Sequence, residues 1–114
     1  MAELDVKERQ AGDVTILDLN GSVRIGDGAV ALRTAVRNLV DGGKGKILLN
    51  LAGVSKMDSS GLGDLIASYT TVNNAGGQLK LLNTENIKDL LVMTKLWTVF
   101  DVHDSEATAL NSFS

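Results

Sequence analysis

The fold is decided by Lys46-Ile-Leu-Leu-Asn-Leu51, a compact apolar run that is typical of a β-strand buried on both faces. A loop is predicted over residues 52–57. It leads into Asp58-Ser59-Ser60-Gly61, after which apolar residues recur at helical spacing as far as Val72. A buried strand that is followed by a helix in this way is typical of a βαβ unit, and therefore predicts a parallel sheet.

The rest of the chain extends this pattern in both directions. Alternating apolar and polar residues predict two strands near the start, joined in a hairpin by a turn at 11–13. The predicted order is β-β-(β)-α-β-α-β-α-β-α, with residues 22–28 forming a short strand or a loop. The other predicted strands are 4–7, 14–19, 78–82 and 99–102, and the other predicted helices are 29–40, 84–94 and a final one after Asp104 or Ser105.

Parallel strands end at the same edge of a sheet, where ligands and partners usually bind. The loops at 20–28, 52–60 and 83–86 are therefore expected to cluster at one rim. Any functional site is expected among them.

Composition narrows the possible functions. The 114 residues form one domain, 1–114, with 44% hydrophobic and 22% charged residues, as in an ordinary soluble protein. A net charge of −3 argues against a nucleic-acid partner. The absence of cysteine excludes disulfides, thiolate metal sites and thiol catalysis. With no long apolar window and no signal-like opening stretch, we expect a cytoplasmic protein that contacts no membrane.

The residues that could be modified or bind a ligand lie at the predicted start of the helix after residue 57. Backbone N–H groups without partners and the positive end of the helix dipole favour an anion there, so a phosphate on Ser59 would be tolerated. Asp58 would either repel that phosphate or orient the serine hydroxyl. The alternative is that Asp58, Ser59 and Ser60 form an ordinary helix cap with no further role.

Other signals are weaker. The loose glycine pattern from Gly26 to Ala31 lacks the remaining features of a dinucleotide fold, so that fold is not predicted. His103, the only histidine, is expected at the surface of a strand end, and no metal or cofactor site is predicted. Trp97 is expected in the core or as a partner anchor. Three acidic residues, Asp101, Asp104 and Glu106, lack the spacing of a calcium loop.

Taken together, the βαβ pattern, the strand Lys46–Leu51 and the motif Met57-Asp-Ser-Ser-Gly-Leu-Gly63 resemble the STAS family over essentially the whole chain. The closest likeness is to single-domain anti-sigma-factor antagonists of bacterial sporulation and stress responses. The resemblance implies an α/β fold: a mixed sheet of about five strands, the central ones parallel, with about four helices packed on it.

The same resemblance implies a partner-switching cycle. The unmodified protein binds an anti-sigma factor that is also a serine kinase, and thereby frees a sigma factor. The kinase phosphorylates the first serine after the aspartate, here Ser59, and the modified protein is released. A PP2C-type phosphatase removes the phosphate. Ser60, the second serine, supports the helix start.

One segment departs from the family pattern. Where the family often has an acidic residue facing the partner, this chain has Arg24, so Asp27 substitutes for the acid, or Arg24 contacts the Ser59 phosphate or changes partner choice. The simpler alternative is that Arg24 is a solvated loop residue. The predicted partner-binding residues are Asp58, Ser60, Gly61, Leu62, Arg24 and Asp27.

No nucleophile with an adjacent base is visible in the sequence, so an enzyme is not expected and no cofactor is predicted. Two alternatives to the antagonist function stay open. The chain could be a STAS accessory subunit of a transporter or signalling scaffold, with the serines only capping the helix. It could also be a small enzyme or a nucleotide-binding domain that uses its glycine loops.

Overall fold

The computed structural model describes residues 3–113, which form one sheet with helices on both of its faces. Three helices lie on one face and a short fourth helix lies on the other. The elements in chain order are β1 (Leu4–Ala11), β2 (Val14–Val23), α1 (Asp27–Asp41), β3 (Lys46–Met57), α2 (Ser59–Asn74), β4 (Gln78–Leu82), α3 (Lys88–Met93), β5 (Val102–His103) and α4 (Glu106–Asn111), with 3-10 turns at Glu85–Ile87 and Leu96–Thr98.

The five strands are ordered β1-β2-β3-β4-β5 across the sheet. β1 pairs antiparallel with β2 through a tight turn in which Gly12 takes a φ of 62°. The other three pairings are parallel. The predicted α/β fold, a mixed sheet with parallel central strands and four helices, is confirmed.

The alternation of side chains along the strands separates two cores. Leu17 and Leu49 face the larger core, which α1, α2 and α3 cover. Ile16 and Leu48, each one position earlier, face the smaller core under α4. Because both faces are covered, the central strands are apolar almost throughout, which is why 46–51 was recognisable as a buried strand.

Several predicted boundaries were wrong. Residues 52–57 belong to β3 rather than to a loop, because they continue the ladder with β2, in which Val54 pairs with Gly21 and Met57 with Val23. The optional third strand does not form within 3–113, since β2 itself continues to Val23. The last strand is 102–103, because the amides of Val99 and Phe100 bond back to Leu96 in a turn.

Because β3 is longer than β4, the carboxyl ends of the parallel strands do not lie at one level. Its last pairing with β4 is Asn50 with Leu82, and β3 then runs on for seven residues to Met57, roughly 23 Å. The loop at 83–86 therefore lies beside the middle of β3, where the Asn86 amide donates to the Ala52 carbonyl at 3.0 Å. The expected clustering of three loops is met only in part: the loop before α1 contacts Asp58 at the end of β3, whereas 83–86 contacts Ala52, at the opposite end of the 52–60 segment.

No helix within residues 3–113 is both long enough and apolar enough to cross a membrane.

Candidate phosphorylation and partner-binding site

Ser59 is the first residue of α2 and stands exposed at the end of β3. Its hydroxyl makes no hydrogen bond within the described part of the chain. The helix is capped by Asp58, whose Oδ1 accepts from the Gly61 amide at 2.8 Å. The cap is therefore the aspartate alone, and the serine hydroxyl is left free.

The Asp58 carboxylate also holds a second segment. Its Oδ2 accepts from the backbone amide of Ile25 at 3.0 Å, so one side chain joins the loop before α1 to the start of α2. The amides of Ile25, then Gly61 and Ser60, favour the charged form and lower the pKa of Asp58 below its ordinary range. Asp58 does not orient the Ser59 hydroxyl, because its oxygens bond to backbone amides.

Two glycines allow both helices to begin against the end of β2. A Cβ on Gly61 would overlap the carbonyl oxygen of Val23, and a Cβ on Gly28 would overlap that of Ser22. The Asp58 amide also donates to the Val23 carbonyl at 3.3 Å. Ser59 is thus held at a fixed position relative to the first turn of α1.

The predicted partner-binding residues are divided between the surface and the interior. Gly61 and Leu62 are buried, with Leu62 only 5% exposed, so the prediction that they meet a partner is corrected: they pack α2 onto the sheet. Asp27 is exposed in the first turn of α1, and Ser60 is partly exposed. Arg24 is exposed and pairs with Glu3 at 3.1 Å.

Ile25 lies beside Ser59 but was not among the predicted partner-binding residues. It is 76% exposed, although Asp58 fixes its backbone beside Ser59. The available signal was a single large apolar residue within a loop of charged and glycine residues, Arg24-Ile-Gly-Asp27. An exposed apolar side chain on a restrained loop is a favourable contact for a protein partner.

The remaining candidates do not join this site. His103 is largely buried rather than at the surface, and its Nε2 lies 3.1 Å from Asp101, which also binds Lys80 at 2.7 Å. Lys80 and His103 lower the pKa of Asp101. Glu106 pairs instead with Arg9. Within residues 3–113, no three potential ligands form a metal cluster.

Trp97 and Phe100, three residues apart, have different environments. Phe100 is buried and its ring meets that of Tyr69 edge-on at 5.2 Å. Trp97 is 56% exposed, on a 3-10 turn close to β5. Of the two predictions made for Trp97, a core position is therefore wrong, and a role as a partner anchor stays a prediction.

Comparison with known proteins identifies the family. The STAS domain model matches residues 5–109, nearly the whole chain, and the protein belongs to the STAS domain family. Over 65 residues it is 34% identical to an anti-sigma F factor antagonist of Paenibacillus polymyxa. That alignment spans 56% of this chain and 56% of the relative, so the chain matches little more than half of the relative's length.

Solved structures confirm the fold at lower identity. A Thermotoga maritima structure described as a candidate anti-sigma factor antagonist has a TM-score of 0.86 at 24% identity, covering 95% of this chain and 93% of that one. An antagonist from Mycobacterium paratuberculosis has a TM-score of 0.84 at 18% identity, with 96% and 93% covered. The phosphorylated Bacillus cell fate determinant SpoIIAA has a TM-score of 0.72 at 18% identity, covering 94% and 97%.

A pair of glycine substitutions tests the close approach of α2 to β2. We expect Gly61→Ala to lower the free energy of unfolding by roughly 1–3 kcal/mol, because the new methyl group meets the Val23 carbonyl. Gly63→Ala, two residues on, has open space and should raise it by about 0.5–1 kcal/mol. Urea unfolding of both variants makes the measurement, and equal effects would contradict the packing described.

Substitution of Asp58 tests its double role. Asp58→Ala should lower the thermal midpoint at pH 7, whereas Asp58→Asn, which can still cap, should lower it less. Because folding lowers this pKa, the carboxylate stabilises the protein above its ordinary value of 3.8, and this stabilisation disappears as the pH falls through the lower folded-state pKa.

The advantage of the wild type over Asp58→Asn should therefore shrink during acidification from pH 7 to pH 3. Thermal unfolding followed by circular dichroism measures it. An advantage that stays constant across this range would show that the charge of Asp58 contributes nothing.

Proposed function

We propose that this protein is an anti-sigma-factor antagonist that binds an anti-sigma factor acting as a serine kinase and is released when Ser59 is phosphorylated. The observation that carries the proposal is the exposed Ser59 hydroxyl, which is free because Asp58 caps α2 in its place. The family membership and the named relative support the same function.

The chemistry requires an accessible hydroxyl and a fold that tolerates the product. The Ser59 oxygen attacks the γ-phosphorus of ATP bound to the kinase; the bond between that phosphorus and the β–γ bridging oxygen breaks. Phosphoserine and ADP are formed, and the serine proton is lost. At the start of α2 the phosphate is favoured by the helix dipole, although Asp58 opposes it by charge.

The proposed docking face surrounds this hydroxyl. Ile25 provides an apolar contact, while Arg24, Asp27 and Ser60 provide charged and polar groups around it. A phosphate on Ser59 would bring a charge of about −1.5 to −2 into the middle of a buried contact. Desolvating that charge is costly, so the complex with the kinase dissociates.

In this proposal the chain is a substrate rather than an enzyme. Its other partner is a PP2C-type phosphatase, which hydrolyses the phosphoserine and restores the binding form. Arg24 is exposed at the docking face although it pairs with Glu3, and we expect an acidic group of the kinase to compete for its guanidinium. Because the kinase needs ATP, the cycle is placed in the cytoplasm.

Phosphorylation of matched serine variants tests the proposal. With ATP and candidate serine kinases of the same organism, mass spectrometry should find one phosphate on Ser59, and none on Ser59→Ala. Ser60→Ala, the matched control, should be labelled like the wild type. Since Ser59 is not the cap, Ser59→Ala should change the free energy of unfolding by no more than about 0.5 kcal/mol.

Labelling of Ser59→Ala at the wild-type rate would show that Ser59 is not the modified residue. Failure of every kinase to bind the unmodified chain, together with purification in a membrane transporter complex, would favour the accessory-subunit alternative. Ser59→Asp, which adds a charge, should bind the kinase more weakly than Ser59→Ala.

Substitution of Ile25 tests the docking face. Ile25→Ala should weaken kinase binding about tenfold or more, because a central apolar anchor is lost, with little effect on stability since the side chain is exposed. Val92→Ala removes a 52% exposed side chain from α3 and is the matched control, with unchanged affinity expected. Equal affinities for both variants would exclude Ile25 from the interface.

A further inference from the structure

The groove between α1 and α2 has a second cluster of polar groups, separate from Ser59. It is a cavity of about 250 Å³, with Arg33 and Arg37 on the α1 side and Ser68 and Thr71 on the α2 side. Ser68 follows Ser59 by nine residues in the same helix, roughly 13 Å along its axis. A phosphate on Ser59 is therefore a different group from any anion in this groove.

The two arginines are available to a ligand. They are four residues apart on α1 and so lie on the same face of the helix. Arg33 pairs with Asp64 at 3.4 Å and Arg37 with Asp41 at 3.7 Å, both long contacts between arginines whose side chains remain more than half exposed. The Arg37–Asp41 pair is exposed on both sides and exchanges easily for a better acceptor, and the Arg33 guanidinium keeps free donors although its Asp64 partner is only 19% exposed.

Ser68 is an independent indication of a ligand. The residue is only 2% exposed, and its Oγ is buried without a hydrogen-bond partner among the described residues. Buried polar groups are nearly always satisfied, so an isolated hydroxyl in the wall of a groove calls for an explanation. An oxygen of a bound anion would accept its proton.

The lining of the groove selects the chemistry of the ligand. The polar side chains that line it are arginine, threonine, serine and asparagine, which all can donate. Asp64, which contacts Arg33 at 3.4 Å, is not among the lining residues. The paired N–H donors of a guanidinium group match the spacing of two oxygens of a tetrahedral oxyanion, and their charges are opposite. We propose that this groove binds an oxyanion of the phosphate class through Arg33, Arg37 and the hydroxyl of Ser68.

The test is a titration of the full chain followed by ¹H–¹⁵N spectra. Inorganic phosphate is added at constant ionic strength, with chloride as the compensating anion. We expect saturable shifts confined to amides of 33–38 and 67–71. O-phosphoserine is the second probe: tighter binding than inorganic phosphate would point to a phosphorylated partner, and weaker binding to free phosphate, and either result supports the site.

Variants separate the site from general charge effects. The double variant Arg33→Gln, Arg37→Gln should weaken phosphate binding at least tenfold, and Ser68→Ala should weaken it several-fold. The control Lys7→Gln, Lys88→Gln removes the same charge elsewhere and should bind as the wild type does. The proposal is overturned if shifts do not saturate, if chloride reproduces them, or if neither the arginine variant nor Ser68→Ala weakens binding.

Discussion

The site depends on one carboxylate that bonds to backbone amides from two separate segments. Asp58 caps α2 through Gly61 and holds the loop before α1 through Ile25. Without this side chain, two unpaired amides would face solvent and the loop would lose its fixed position beside Ser59. The same bonds explain why the Ser59 hydroxyl is free, because Asp58 accepts the amide hydrogen bond that a capping serine would otherwise accept.

The shape of the sheet places this arrangement where a large partner can reach it. β2 and β3 extend well beyond the end of β4, so the start of α2, which follows β3, projects past the rest of the sheet. The loop before α1 and the end of β2 lie alongside it, through the bonds of Asp58 to Ile25 and Val23. Gly28 and Gly61 pack closely onto the end of β2. The first turns of α1 and α2 therefore lie against the same strand, and their surface residues lie near one another.

Most of the strands and helices could be predicted from the sequence, because they depend on local patterns of apolar and polar residues. The hairpin, the buried strand from Lys46 and the helical spacing after Ser59 each gave the correct element, and β4 was predicted with its observed bounds. The extension of β3 to Met57 could not be predicted, because its mixed residues form a strand only through pairing with β2, which is a long-range contact.

In the candidate site, too, features with a local sequence motif could be predicted and features set by long-range contacts could not. Asp58 and Ser59 were identifiable from their motif, but the bond from Asp58 to Ile25 joins residues 33 positions apart and has no local signal. For the same reason Leu62 was placed at the surface, although the tertiary structure buries it. The predicted phosphorylation of Ser59 remains a prediction.

We propose that Ser59 accepts a phosphate without any change to the fold, so that only the surface of the protein is altered. The most direct measurement compares ¹H–¹⁵N spectra of the unmodified chain and of the chain phosphorylated stoichiometrically on Ser59. We expect amide shifts confined to residues 24–28 and 58–62. Shifts spread through the main core, at residues such as Leu17 and Leu49, would contradict it.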